Sequence, residues 1–243
     1  MKLINRAKKF VANTLHRRGY HLERIVEYGE YELDVFDLVL NTLGPKDPDF
    51  FVFQVGAHDG KSGDPIHGYI KKFGWKGLLM EPQPSVFSTL SNNYSSQPQL
   101  HLVNAAIGAA ETTTSLFTVE NSSYLASFDR QTLERRVKDT SAIVELHVNV
   151  HTFDSLSDKF GISRVDFLQI DTEGFDFEVI KLALQSAQFP HPSMIRYEHL
   201  HLSSADRESC ISLLGQAGYR LFRDNRDTIA IDIKKLSPSG SAS

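Results

Sequence analysis

The sequence predicts an α/β domain: a mostly parallel sheet covered by helices on both faces, with an antiparallel hairpin at one edge. Three observations predict it. From residue 49 onward, short apolar runs of strand length alternate with amphipathic stretches of helix length, the order in which β–α–β units build a parallel sheet. The first apolar run, 50–55, ends in the glycine-punctuated turn Gly56-Ala57-His58-Asp59-Gly60, where such folds present a nucleotide-like ligand at a strand's carboxyl end. The last two apolar runs are short and close together, which suits a hairpin.

Taken in order, residues 1–24 set Lys2, Arg6, Lys8, Lys9, Arg17, Arg18 and Arg24 against Glu23, with Leu3, Ala7, Phe10, Val11 and Leu15 at helical spacing. That is an amphipathic helix. Its apolar stripe either packs on the domain, the preferred reading, or lies peripherally on an anionic membrane or a protein partner. A second helix is expected over 31–43, closed by the linker Gly44-Pro45-Lys46-Asp47-Pro48. Strands are expected at 50–55, 77–81, 100–104, 165–171 and 194–198, with the hairpin at 219–222 and 228–233. Helices are expected between them at 64–73, 84–94, 175–187 and 205–217. Residues 111–150 are less regular: strands at 112–119 and 145–150 flank a polar helix near 130–138. An insertion beside a ligand site is where acceptor contacts usually lie. The tail 237–243 is low-complexity Ser, Pro and Gly and is expected to be disordered. The expected organisation is a basic helical extension over 1–48, the α/β domain over 49–236, and the tail.

Composition narrows the class. A hydrophobic share of 41% and a charged share of 23% in 243 residues suit one soluble globular domain. A net charge of −4 argues against nucleic acid as partner. Cys210 is alone, so neither a disulfide nor a zinc framework is expected. No apolar run approaches the roughly twenty residues that span a bilayer, and no signal-peptide core follows Met1, so the expected compartment is the cytoplasm.

The motif chemistry points to a cofactor before a substrate. Dinucleotide folds use G-x-G-x-x-G to admit a pyrophosphate, but His58 stands two residues after Gly56. NAD or FAD is therefore disfavoured. S-adenosylmethionine has no pyrophosphate; it needs a glycine turn, an acid for the ribose hydroxyls and a slot for adenine. Gly56 and Gly60 supply the turn, Glu81 at the end of the second strand the acid, and Asn104-Ala105-Ala106-Ile107-Gly108 the slot. Ala57 and His58 lie in the same turn, where His58 either contacts the cofactor or caps the turn. Asp59 either caps the following segment or meets the methionyl amine.

At these residues the chain resembles the FkbM-type S-adenosylmethionine-dependent methyltransferases, over about residues 50–200. The resemblance rests on Val55-Gly56-Ala57-His58-Asp59-Gly60, Glu81-Pro82 and Asn104-Ala105-Ala106-Ile107-Gly108. It also rests on Thr152-Phe153-Asp154-Ser155-Leu156 leading into 165–174, which ends Gln169-Ile170-Asp171-Thr172-Glu173-Gly174. The family usually has lysine where this chain has Gln169, and many members have Asn and a small or apolar residue at His58 and Asp59. The resemblance implies a Rossmann-like class I methyltransferase sheet and O-methyl transfer, often to sugars or other hydroxylated metabolites.

An alcohol acceptor must lose its proton, to a general base or with help from a metal. Asp171, at a strand tip facing the glycine turn, is the candidate base, alone or with His199 on the next strand tip; Glu173 points into the same space. The alternative is that Asp171 and Glu173 cap the following helix and favour its dipole. Asp171, Glu173, Glu198 and His199 are the candidate ligands of a Mg²⁺ or Mn²⁺ ion. Tyr69, Phe73, Trp75 and Phe87 are read as core. The expected activity is O-methyl transfer from S-adenosylmethionine to a small molecule or glycan. The rivals are an NAD-dependent oxidoreductase or epimerase, which lacks its third glycine and Tyr-x-x-x-Lys pair here, and a non-catalytic scaffold docked by the basic helix.

Overall fold

The structure, a computed structural model, describes residues 35–43, 47–120 and 122–236. The helix expected over 1–24, the expected disorder of 237–243 and most of the 44–48 linker lie outside the described residues. The chain divides into two units, 1–39 and 40–243. Described residues 35–39 of the first form the start of helix α1, Val35–Leu43; all that follows concerns the second.

Its strands are β1 (Phe51–Val55), β2 (Lys76–Met80), β3 (Leu100–Val103), β4 (Ala106–Ile107), β5 (Thr112–Val119) and β6 (Ser122–Ser127). They continue as β7 (Ile143–His151), β8 (Phe167–Ile170), β9 (Met194–Glu198), β10 (Arg220–Asp224) and β11 (Asp227–Ile231). The helices are α2 (His67–Phe73), α3 (Pro84–Asn93), α4 (Arg130–Glu134), α5 (Phe153–Phe160), α6 (Asp176–Gln185), α7 (Ser204–Gln216) and α8 (Ile233–Leu236).

The main sheet runs β10-β11-β9-β8-β1-β2-β3. Strands β3, β2, β1, β8 and β9 are parallel, while β11 is antiparallel to both β9 and β10. This is the class I methyltransferase-like α/β sheet with its edge hairpin, as the sequence predicts. The chain steps outward from β1 to β3, then returns to the far side of β1 with β8. Strand order therefore reverses between β1 and β8, and a crevice opens there beyond the carboxyl ends.

Apolar strand residues in register build the core. Leu78, Phe53, Leu168, Ile195 and Ala230 form one row across five strands, and each is fully buried. Val179, Ile180 and Ala183 of α6, Cys210 and Leu214 of α7, and Phe153 and Leu156 of α5 join the same cluster. Burying each large aliphatic side chain contributes about 1.5–3 kcal/mol. Phe50, Tyr69 and Phe73 gather around buried Trp75; Phe50 and Trp75 are core, and half-buried Tyr69 and Phe73 cover them.

The irregular region forms a second sheet, β4-β7-β5-β6. Strand β5 pairs with β7 along its whole length, and β4 joins β7 in parallel at Ala106 and Ile107. That short joint carries the second sheet beside the carboxyl end of the first. Several boundaries differ from expectation for local reasons. Helix α2 begins at His67 rather than 64, because Asp64 Oδ1 accepts the Ile66 N–H at 2.8 Å and makes a turn ahead of it. Strand β6, where no element was expected, forms by pairing with β5. Helix α5 was not expected, though Thr152 caps it by accepting the Ser155 N–H at 3.1 Å and Gly161 ends it.

Candidate functional site

The β1 turn is held by contacts that need its glycine. Gly56 adopts φ +80°, and a Cβ there would fall 1.8 Å from the Asp171 carbonyl oxygen, so the turn lies directly against the tip of β8. The N–H groups of Gly56 and Ala57 both donate to Met80 O, at 3.1 and 2.8 Å, tying the same turn to the tip of β2. Gly60 turns at φ +67° against Leu90 of α3 and Tyr94 just past its end. Asp59 caps the turn, accepting from the N–H groups of Lys61 and Ser62 and from the Ser62 hydroxyl. Burial opposes ionisation of Asp59, but these bonds win and hold its carboxyl down at about 2.

Glu81 is buried at the end of β2. Its Oε2 accepts the His58 N–H at 3.0 Å and its Oε1 the Gln83 N–H at 2.9 Å. Burial pushes its carboxyl up to about 7 against the pull of those two bonds and of a third from the Gln83 side chain. A carboxylate offers about four lone-pair sites, so with three taken acceptor capacity is left for a hydroxyl donor.

A cavity of about 670 Å³ opens above these tips, within the range of small-molecule sites. Gly56, Ala57, His58, Glu81 and Ala105 line one part of it, and Asp171 and Glu173 another. Asp59, Gly60 and Asn104 support the wall from outside the lining. Asn104 donates its amide to the carbonyls of Glu81 and Pro82, at 2.8 and 3.1 Å, and so holds the β2 tip in place.

Carboxylates from the tips of β8 and β9 gather at and behind the far part of the cavity. Asp171 is open to the cavity; burial around it, then repulsion from Asp176, Glu198, Glu173 and Asp227, pushes its carboxyl up to about 8. Helix capping falls to neither Asp171 nor Glu173. Asp176, fully buried at the start of α6, accepts from the Thr172 hydroxyl, the Gly174 N–H and the Glu198 N–H. Burial lifts it to about 6. Those bonds shape a turn in which Glu173 adopts φ +56° and Gly174 +111°, leaving Glu173 to pair with Arg136 Nη1 at 3.0 Å.

The two histidines after β9 part company. His199 is buried, with Nδ1 3.0 Å from the Thr228 hydroxyl, and does not line the cavity. His201 does line it, with Nε2 3.4 Å from Glu173 Oε2 and 3.6 Å from Glu198 Oε2. Strict alternation would place His199 and His201 together, away from Glu198, but β9 ends at Glu198 and the turn that follows brings His201 round. Burial pushes both imidazoles down, aided by Arg223 and Arg207 at His199 and by Arg136 at His201. Glu173, Glu198 and His201 each offer one atom within 4.8 Å of the others. Among the candidate metal ligands, Asp171 and His199 stand outside that group.

Sequence reasoning assigned no site role to Gln83, Tyr124 or Arg136, all of which line the cavity. Tyr124 comes from β6 and stacks on the His58 ring, centroids 4.5 Å apart. Gln83, two residues past Glu81, was in view as part of a strand-tip loop; Tyr124 and Arg136 depend on the fold of the second sheet. Gln169, where the family usually has lysine, is buried in the cavity wall with Oε1 3.5 Å from Arg196 Nη1.

Comparison with known proteins returns several methyltransferases. No curated protein matches the chain. A methyltransferase FkbM from Methylobacillus flagellatus KT is 14% identical with a TM-score of 0.48, covering 76% of this chain; this chain spans 44% of its length. The human METTL16 N-terminal domain, solved in complex with SAH, is 13% identical with a TM-score of 0.41, covering 90% of this chain and 79% of its own. A Methanococcus jannaschii fibrillarin, a pre-rRNA processing protein, is 10% identical with a TM-score of 0.43, covering 86% and 82%. At such identities these likenesses say nothing of substrate. Among the described residues no helix is long and apolar enough to cross a membrane. The family model described as the Methyltransferase FkbM domain matches residues 54–221, from near the end of β1 to the start of β10, and by that match the chain belongs to the FkbM methyltransferase family.

Proposed function

We propose that this chain transfers a methyl group from S-adenosylmethionine to a hydroxyl of a small molecule or glycan. One observation carries the reading: a buried acid with spare acceptor capacity, Glu81, and an acid without a hydrogen-bond partner among the described residues, Asp171, face one cavity across the Gly56 turn. The residues fit the cofactor: the turn admits no side chain at Gly56, Glu81 keeps acceptor capacity for a ribose hydroxyl, and Ala105 with Gln83 borders the adenine side. When bound, S-adenosylmethionine supplies a methyl on a cationic sulfur, ready for in-line displacement.

The chain's own residues do the rest. The turn and Glu81 hold the cofactor's adenosyl end, and alignment of this kind can remove about 7–11 kcal/mol from a barrier. Asp171 accepts the acceptor's hydroxyl proton, and a carboxyl lifted to about 8 suits a base working near neutral pH. Asp171 would keep that proton while the acceptor oxygen takes up the methyl that bound S-adenosylmethionine would supply, the C–S electron pair remaining on sulfur.

Calorimetric titration of the full-length protein with S-adenosylhomocysteine, beside NAD⁺, tests the cofactor. Saturable binding of the first alone is expected, and binding of NAD⁺ alone overturns the reading. Transfer of radiolabelled methyl to a panel of sugars and hydroxylated metabolites tests the acceptor. Asp171→Asn is expected to keep product binding and to lose transfer; unchanged transfer removes Asp171 as base.

A further inference from the structure

We infer that Glu173, Glu198 and His201 form a binding site for one divalent first-row cation, of Zn²⁺ type, at the acceptor end of the cavity. The three residues come from separate places: the turn after β8, the last residue of β9, and the turn beyond it. Asp176 presets the first of these by accepting from Thr172 and Gly174.

The distances favour shared coordination over hydrogen bonding. His201 Nε2 stands 3.4 Å from Glu173 Oε2 and 3.6 Å from Glu198 Oε2. N–H···O bonds run to about 3.2 Å, so both separations are long for a hydrogen bond. Two donors around a four-coordinate metal at about 2.1 Å lie about 3.4 Å apart. A second observation comes from Glu198 itself: its Oε2 is shut off from solvent and has no hydrogen-bond partner. A buried carboxylate oxygen left in that state costs free energy, and a cation would relieve it.

The surroundings fit a ligand set. Arg136 Nη1 donates to Glu173 Oε2 at 3.0 Å, the kind of outer contact that orients a coordinating carboxylate. One imidazole with two carboxylates suits zinc better than magnesium, which prefers oxygen alone. Three protein ligands leave a fourth position, as in catalytic zinc sites, and Glu173 and His201 line the same cavity as Asp171. Resting on the methyl-transfer reading, a cation there would polarise the acceptor hydroxyl while Asp171 takes its proton.

The test uses full-length protein stripped with chelator, dialysed and titrated with ZnCl₂ by calorimetry, with metal content then measured by mass spectrometry. One Zn²⁺ per chain is expected. Glu198→Gln and His201→Gln should each weaken binding by at least about a hundredfold, while keeping the wild-type melting temperature and wild-type affinity for S-adenosylhomocysteine. Absence of saturable Zn²⁺ binding, or binding that survives both substitutions, overturns the site. The metal titration needs no cofactor: variant-sensitive Zn²⁺ binding without S-adenosylhomocysteine binding keeps the site and removes the methyl-transfer reading instead.

Discussion

Gly56 acts through what it lacks. Its φ of +80° is a backbone state that L side chains avoid, and an added Cβ would meet a backbone carbonyl at 1.8 Å, which cannot swing away as a flexible side chain can. Gly56→Ala must therefore push the tips of β1 and β8 apart. Left-handed strain alone costs about 1–3 kcal/mol, and in a chain of this size each kcal/mol lowers the melting temperature by about 2–4 °C. A drop of several degrees in a thermal melt, with loss of S-adenosylhomocysteine binding, is expected; unchanged binding would separate the turn from the cofactor site. Residues such as Gly56, Glu81 and Asp171 were legible because a strand tip fixes where the next side chain stands. His201 was not, because its position depends on where β9 stops, and alternation says nothing beyond the last paired residue.

Secondary elements were legible where a period ran long enough to see. The parallel strands are continuous apolar runs because both faces are covered, and they stand where expected within a few residues. Strand β6 was hidden because its residues, Ser122 to Ser127, carry little strand preference of their own and depend on pairing with β5. That strand brings Tyr124 onto His58 with rings 19° from parallel, although Tyr124 is 59% exposed. Aromatic pairs of this sort contribute about 0.5–1.5 kcal/mol, a few degrees in melting temperature for a chain of this size. Tyr124→Ala should lower the thermal midpoint by about that much and, by freeing the His58 ring on the cavity wall, weaken S-adenosylhomocysteine binding. A lowered midpoint with unchanged affinity would assign Tyr124 to the second sheet's stability rather than to the site.

Across the whole molecule, the parallel sheet brings its carboxyl ends to one edge, and acids at the ends of β2, β8 and β9 meet there through topology rather than sequence proximity. The alternation of apolar runs made this edge visible; the joint through β4 that carries the second sheet over it was not, since two residues show no period. The consequence is a molecule whose folding and ligand binding respond oppositely to pH at Glu81. Burial lifts Glu81 from an ordinary 4.5 to about 7, so between those values the native state holds a proton that the unfolded chain has released. By linkage, its contribution to stability is fully present below about 4.5 and is lost as pH rises through about 7. Ribose hydroxyls donate better to the ionised form, so affinity for S-adenosylhomocysteine should rise through the same window. Glu81→Gln keeps an acceptor oxygen but cannot titrate. Urea melts and calorimetry between pH 5 and 8 should show that the variant lacks the wild-type loss of stability and the wild-type gain in affinity. Taking the difference between the two proteins cancels the other carboxylates of the cavity, whose titration both share. If affinity climbs equally in the variant, the ionising group lies elsewhere and Glu81 does not hold the ribose.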